Sequence, residues 1–249
     1  MEVELSAEST SIIREALDDA RTFFLLTHDL VVDDFTVRAF ASTESLIDEW
    51  VRLRGETRAA TEQRWSGFAV AFGSADGIWI SAGGAGWAVS TEDQRHHSVV
   101  HEFFHVVQFQ SGGSRGPEWL LEGSARYVEF VVSAAVGRTN LGERRTLEVG
   151  RALGTAATLQ SMETLAGLNT VGFTAGYSSG FLATEALTGS QPGSVDLGAL
   201  LDFYARTRST AWPTAFAAAF GQSTSVFYAD FEAGRSASPS QRRRPFRAS

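Results

Sequence analysis

The chain has 249 residues, of which 43% are hydrophobic, and this is enough for a sizeable folded core. It contains no cysteine, which excludes disulfides, cysteine-based metal sites and thiol catalysis. All 21 basic residues are arginine, which excludes catalytic or P-loop lysines, and the net charge of −8 argues against a polyanionic partner such as nucleic acid.

Segments for export or membrane insertion are not indicated. No apolar run approaches the roughly 20 residues that a membrane helix needs. Residues 1–11 are acidic and polar, without the basic start and apolar centre of a signal peptide. Residues 236–249 are locally basic but lack apolar periodicity, so we expect a flexible tail. The compartment and the oligomeric state do not follow from the sequence.

The first ninety residues predict helices that alternate with short strands. Apolar residues recur with helical spacing over 11–27 and again over 44–60. Other short runs are β-prone and are bounded by turn residues; these are 35–39, 68–72, 77–81 and 87–89. Together they predict a small mixed sheet within about residues 30–90.

A longer helix follows this sheet. Ser90 or Thr91 can cap its first turn, with Asp93 or Gln94 as the third position of a capping box. Gly112-Gly113 can end it. The capped segment therefore places residues 101–105 in the middle of a helix.

The centre of this helix reads His101-Glu102-Phe103-Phe104-His105. Positions four apart lie on one helix face, so both histidines can offer an imidazole nitrogen to one zinc ion. Glu102 can then act as a base toward metal-bound water. A catalytic zinc site also needs a third protein ligand and an open position, so the motif predicts a further ligand along the chain.

The candidate third ligand is Glu122. It lies in a segment that starts at Pro117 and predicts a second helix, because proline suits a first helical turn. Glu118 and Glu129 are four residues before and seven after Glu122 and share its face. We interpret them as outer hydrogen-bonding or solvated groups. His96 and His97 are interpreted as polar residues early in the first helix, not as a fourth ligand.

The two motifs, His101–His105 and Trp119-Leu120-Leu121-Glu122-Gly123, resemble the gluzincins, the thermolysin-like zinc peptidases of the peptidase MA-like superfamily. The resemblance implies that His101, His105 and Glu122 bind zinc and that Glu102 is the general base. It suggests Glu129 as a hydrogen-bond partner of a zinc-binding histidine, against the alternative of a plain surface carboxylate. It is strongest over 101–129 and extends loosely over 35–235.

The same resemblance suggests an oxyanion donor. Gluzincins often place a tyrosine on a later helix beside the metal, and Tyr177-Ser178-Ser179-Gly180-Phe181 resembles that segment. The alternative is that Tyr177 is a half-buried aromatic with its hydroxyl at the surface. Tyr127, Tyr204 and Tyr228 are weaker candidates by position.

The strand before the zinc helix indicates which class of peptide substrate to expect. In the family an edge strand there often holds the substrate backbone, which points to Ile78–Gly86. Aminopeptidases of the superfamily carry a glutamate at this place that binds the free amine of the substrate, whereas Ser81–Gly86 contains no acid. On this resemblance an endopeptidase, or a peptidase of narrow specificity, fits better than an aminopeptidase.

Beyond Pro117 the chain predicts mostly helix. The segments are about 118–136, 143–153, 176–188, 195–206, 211–220 and 222–234. We expect an α+β, zincin-like fold in a single domain over 1–235, with a small N-terminal mixed sheet, the His-Glu-x-x-His helix and a mainly helical part over about 91–235.

The expected function is zinc-dependent hydrolysis of amide bonds in a peptide or protein substrate. Two alternatives stay open. One is a catalytically silent zinc-binding or scaffold protein, against which the presence of Glu102 argues, because a structural site needs only the three ligands. The other is a zinc hydrolase of non-peptide substrates, which the ligand set does not distinguish from a peptidase.

Overall fold

The computed structural model describes residues 4–65, 70–112, 116–189 and 196–236. Over these ranges the chain is a mixed α and β protein with twelve α-helices, a 3₁₀ turn and one three-stranded sheet. It divides into two compact units, Met1–Val107 and Gln108–Ser249. None of the described helices combines the length and the apolar character that a membrane span requires.

The first unit contains the sheet. In chain order its elements are α1 (Ala7–His28), β1 (Thr36–Phe40), α2 (Thr43–Arg54), α3 (Arg58–Arg64), β2 (Ala71–Ser74), β3 (Gly77–Ser81), α4 (Ala85–Val89) and α5 (Glu92–Ser111), the last of which continues across the unit boundary. The helix predicted over 44–60 is two helices. The reason is local: Gly55 ends α2 with a left-handed φ of 68°, and the Thr57 side chain caps α3.

The strand order is β1-β3-β2, which confirms a small mixed sheet. β3 pairs in parallel with β1 on one side and antiparallel with β2 on the other. The prediction of an edge strand at Ile78–Gly86 is therefore wrong. A short turn at Ala75 and Asp76 folds β2 back along β3, so β3 is central and β2 forms an edge.

Two β-prone runs differ from the prediction. Residues 87–89 belong to helix α4, where Trp87 is buried and its Nε1 donates a hydrogen bond to Ser9 Oγ at 3.1 Å. Three residues are too few for their periodicity to distinguish a strand from a helix. The run at 68–72 is strand only from Ala71, and residues 66–69 lie outside the described residues, as do Gly113 and residues 237–249 of the predicted tail.

The motif helix α5 is packed by aromatic side chains of its own unit. Phe24 of α1 stacks on Phe104 with ring centroids 5.7 Å apart and lies 6.0 Å from Phe103. Both motif phenylalanines are fully buried. They therefore have the core role expected of large apolar side chains. Because they lie between His101 and His105, their contacts with Phe24 attach this part of α5 to α1.

The described part of the second unit is helical. Its elements are α6 (Glu118–Ala135), α7 (Leu141–Ala152), a 3₁₀ turn (Gln160–Met162), α8 (Leu165–Val171), α9 (Phe173–Leu187), α10 (Gly198–Thr207), α11 (Trp212–Phe220) and α12 (Thr224–Ser236). The sequence predicted all of these except the 3₁₀ turn and α8. The α6 helix packs against both α7 and α9, so the segment with Glu122 lies among helices that follow it in the chain.

Candidate metal centre

The helix that carries the motif begins with the predicted capping box. Thr91 N donates to Gln94 Oε1 at 2.9 Å, and Gln94 N donates to Thr91 Oγ1 at 3.3 Å. These reciprocal bonds satisfy two backbone donors that a helix N-terminus leaves unpaired. The helix therefore starts at a fixed residue, and His101 and His105 lie in its regular middle turns.

The imidazoles of His101 and His105 lie close together. Their Nε2 atoms are 3.2 Å apart, and their rings meet edge to face with centroids 4.8 Å apart. Two nitrogens that bind one tetrahedral zinc ion at about 2.05 Å are separated by about 3.3 Å. Both side chains are buried. The separation of the two Nε2 atoms therefore matches that of two nitrogens on one metal ion.

Glu102 is held by the main chain of the edge strand β2. Gly73 N donates to Glu102 Oε2 at 2.5 Å. The approach leaves no space for a side chain at position 73, because a Cβ there would lie 2.6 Å from Glu102 O and 2.8 Å from His105 Cβ. The strand therefore contacts α5 at two residues: Glu102, which follows the candidate ligand His101, and His105, which is itself a candidate ligand.

Glu122 is half-buried on the second turn of α6. His101, His105 and Glu122 form a group that could hold a metal ion, since one ligand atom from each lies within 4.8 Å of the others. Two imidazole nitrogens and one carboxylate are a set that zinc accepts, whereas calcium and magnesium prefer oxygen ligands throughout. The residues present therefore fit the metal that the motif predicts.

Tyr177 is half-buried on α9, where its ring packs edge-on against Phe173 with centroids 5.7 Å apart. Its helix crosses α6 at two glycines. A Cβ on Gly123 would lie 2.2 Å from the carbonyl carbon of Gly180, so the two backbones are in direct contact. Gly123 follows Glu122, and Gly180 is one helical turn beyond Tyr177. The crossing therefore brings these two segments of the second unit together.

The hydroxyls of Tyr204 and Tyr228 each donate a hydrogen bond to an acceptor within the second unit. Tyr204 is fully buried and donates to Leu120 O at 3.2 Å, and Tyr228 donates to Glu163 Oε1 at 2.9 Å. Burial raises the pKa of both phenols above the ordinary value. Each phenol therefore stays protonated and serves as a fixed hydrogen-bonding group in the second unit.

Glu129 is buried, so the alternative of a surface carboxylate is wrong. Arg126 Nη1 donates to Glu129 Oε1 at 2.7 Å, and its Nη2 donates to Glu148 Oε1 at 3.1 Å. Glu148 is fully buried and also accepts from Ser178 Oγ at 2.5 Å. This charged cluster joins α6, α7 and α9, and it fixes the turn of α9 next to Tyr177.

The histidines that precede the motif are both buried. His96 Nε2 lies 2.9 Å from Asp19 Oδ2 of α1, which gives the imidazole a partner within the first unit. That pairing supports a role in attaching α1 to α5.

Two features of the site were missed by sequence reasoning. The role of Gly73 had no signal, because the predicted run 68–72 ends before it; Gly73 is a glycine within a strand only in the observed β2. The burial of Glu148 had none either, because arginines one turn away on its own helix suggest an exposed ion pair, whereas Arg126 and Ser178 come from two other helices. Comparison with known protein families, with characterised proteins and with experimentally determined structures finds no match.

Proposed function

We propose that the chain is a zinc-dependent peptidase with a zincin-like fold, similar to the gluzincins, in which His101, His105 and Glu122 hold the metal. The observation that carries the proposal is the 3.2 Å separation of the two Nε2 atoms, with Glu102 beside them on the same helix. Support for Glu122 comes from its membership in the same potential metal-binding group.

A zinc ion at this position would lower the pKa of a bound water to about 7 and polarise the carbonyl of the substrate. The Glu102 carboxylate takes the proton of the attacking water and returns it to the departing amine nitrogen. The Gly73 N–H keeps that carboxylate in one orientation through both transfers. The net reaction adds one water across one amide bond.

Tyr177 is proposed as the donor that stabilises the oxyanion of the tetrahedral intermediate. Its support is the α6–α9 crossing, which keeps the helix of Tyr177 in backbone contact with the residue after Glu122. The occupied hydroxyls of Tyr204 and Tyr228 weaken their case for the same role.

We propose internal peptide bonds as the substrate. The edge strand β2, Ala71–Ser74, contains no acid that could bind a free amino terminus. The edge strand β2 lies against α5 at Gly73, so the backbone of this strand is next to the candidate base.

The test is a peptide library incubated with the purified chain, with and without a zinc chelator. We expect cleavage that the chelator abolishes and that added zinc restores. A His101→Ala/His105→Ala variant should bind no zinc at this site and cleave nothing, whereas His28→Ala, a matched histidine change at the end of α1, should retain both properties. Cleavage that persists in the chelator, or full zinc content in the double variant, would overturn the proposal.

A further inference from the structure

Three fully buried polar residues from three helices form a hydrogen-bonded cluster in the second unit. They are Gln108 near the end of α5, Ser124 on α6 and Tyr204 on α10. Gln108 Nε2 lies 2.9 Å from Ser124 Oγ and 3.1 Å from the Tyr204 hydroxyl, and Ser124 Oγ lies 2.8 Å from that hydroxyl. Each side chain thus contacts both others.

The cluster is attached to the backbone that precedes Glu122. Gln108 Nε2 donates to Leu121 O at 2.9 Å, and the Tyr204 hydroxyl donates to Leu120 O at 3.2 Å. Ser124 follows Glu122 by two residues and is itself a member of the cluster. The turn of α6 that carries Glu122 is therefore bracketed by contacts before and after it.

Gln108 connects this turn to the histidine helix. It lies three residues after His105 and seven after His101, and residues at these spacings share one helix face. The same end of α5 is also in close contact with α10. A Cβ on Gly112 would lie 1.6 Å from Tyr204 O, so the two backbones touch there. Arg208, directly after α10, donates from Nη2 to Gln110 O at 2.5 Å. Consequently α5 cannot slide along its axis without breaking bonds to the Glu122 turn.

An apolar cluster could fill the same volume, but it would not define one position along the helix axes. Buried polar groups do so, because any shift leaves donors and acceptors unpaired. A metal centre needs its ligands held within about 0.5 Å of their bound geometry. The hydrogen bonds of this buried cluster define one position of the helices, which is what fixed metal ligands require.

We infer that Tyr204, together with Gln108 and Ser124, is a positioning residue of the metal centre, which sets the register of the Glu122 turn against the histidine helix before metal binds. This inference rests on the proposed zinc site. It assigns no contact with substrate to Tyr204.

The experiment compares Tyr204→Phe with Tyr228→Phe. Both remove one phenol hydroxyl that is hydrogen-bonded within the second unit. The Tyr204 hydroxyl has three partners, among them Gln108 of α5. The Tyr228 hydroxyl has two, Trp119 Nε1 of α6 and Glu163 Oε1, and neither lies on α5. Zinc affinity is measured by competition with a chromophoric chelator, ligand geometry by the visible spectrum of the cobalt-substituted protein, and stability by thermal unfolding of the metal-free form.

We expect Tyr204→Phe to weaken zinc binding about 10-fold or more, the range found for groups that orient metal ligands, and to alter the cobalt spectrum. Tyr228→Phe should lower the unfolding temperature of the metal-free protein but keep the wild-type affinity and spectrum. Ser124→Ala, which removes a smaller group from the same cluster, should reproduce the effect of Tyr204→Phe and serves if that variant does not fold.

Wild-type zinc affinity in folded Tyr204→Phe or Ser124→Ala would overturn the inference and leave the proposed function intact. An equal loss of affinity in Tyr228→Phe would also overturn it, because the effect would then follow any weakening of α6. Absence of zinc binding by the wild-type chain would instead overturn the proposed function and the inference with it.

Discussion

Gly123 and Gly180 meet backbone to backbone where α6 crosses α9. A Cβ on Gly123 would lie 2.2 Å from the carbonyl carbon of Gly180, and a Cβ on Gly180 would lie 2.2 Å from Trp119 O. Neither position can accept a side chain unless the helices separate. The crossing distance therefore depends on two glycines, each in a segment that carries a candidate functional residue.

Gly123→Ala should lower the free energy of unfolding by about 1–3 kcal/mol, the usual cost of overpacking. The matched control is Gly150→Ala on α7, where a Cβ would meet nothing within 4 Å. Because alanine is the better helix former, this control should gain about 0.5–1 kcal/mol. Urea unfolding of both variants measures the difference, and a neutral Gly123→Ala would show that the helices can separate freely.

Tyr177→Phe should reduce kcat and leave KM nearly unchanged, because an oxyanion donor acts on the transition state more than on the bound substrate. A loss of about 10²- to 10³-fold corresponds to one such donor. Steady-state kinetics on a cleaved library peptide make the measurement, with Tyr228→Phe as control. Wild-type turnover in Tyr177→Phe would remove it from the mechanism.

Glu102→Gln should keep zinc and lose about 10²- to 10⁴-fold in rate. The amide preserves the shape of the side chain and can still accept the hydrogen bond from Gly73, but it cannot take a proton at neutral pH. Zinc content and turnover are measured on the same sample. Full activity at full zinc content would mean that another group is the base.

Gly73→Ala tests whether β2 positions the base. A Cβ at this residue would lie 2.6 Å from Glu102 O, so strand and helix must move apart and the bond to Glu102 Oε2 must lengthen. We expect activity to fall by at least about 10-fold, the effect of a misplaced catalytic group, while far-ultraviolet circular dichroism keeps its wild-type shape. The control is Gly55→Asn at the α2 end, where a left-handed φ tolerates asparagine and no contact is made.

The pH dependence of stability should include a contribution from Glu56. The hydrogen bond from Arg64 lowers the pKa of Glu56 below its ordinary 4.5, and one from Trp50 Nε1 acts in the same direction. An acid with a lowered folded-state pKa stabilises the protein above its unfolded pKa, and the contribution is lost as pH falls through the folded value.

Glu56→Gln should therefore cost about 1 kcal/mol or less near pH 7, since the pair is partly exposed, and nothing once the wild-type carboxyl is protonated. Urea midpoints of the two proteins, measured at a series of pH values below 7, report the convergence. A difference that stays constant down to the acid limit would contradict the assignment.

Periodicity and capping chemistry predicted the helices that carry the candidate ligands. Thr91 and Gln94 form the expected capping box, and α6 begins directly after Pro117. These features are local: each is determined by residues within a few positions of one another. The same locality explains why the ligand motif could be recognised in one short stretch.

Strand order and burial of charge were not predictable in this way. The position of β3 between β1 and β2 depends on pairing between segments about 40 residues apart, which no single-chain pattern encodes. Glu148 is surrounded by arginines in its sequence and looks exposed, yet the fold buries it against Arg126 and Ser178. Both outcomes are decided by tertiary contacts.

The bond that holds Glu102 is donated by a peptide N–H of Gly73, and this limits the kinds of chemistry that can disturb it. A histidine or tyrosine donor would titrate, and a cysteine would oxidise, but a peptide N–H does neither. Changes of acidity or redox potential in the surroundings therefore leave this donor intact as long as the chain stays folded. The donor side of this contact therefore depends on the backbone at residue 73 and on the space that this residue leaves.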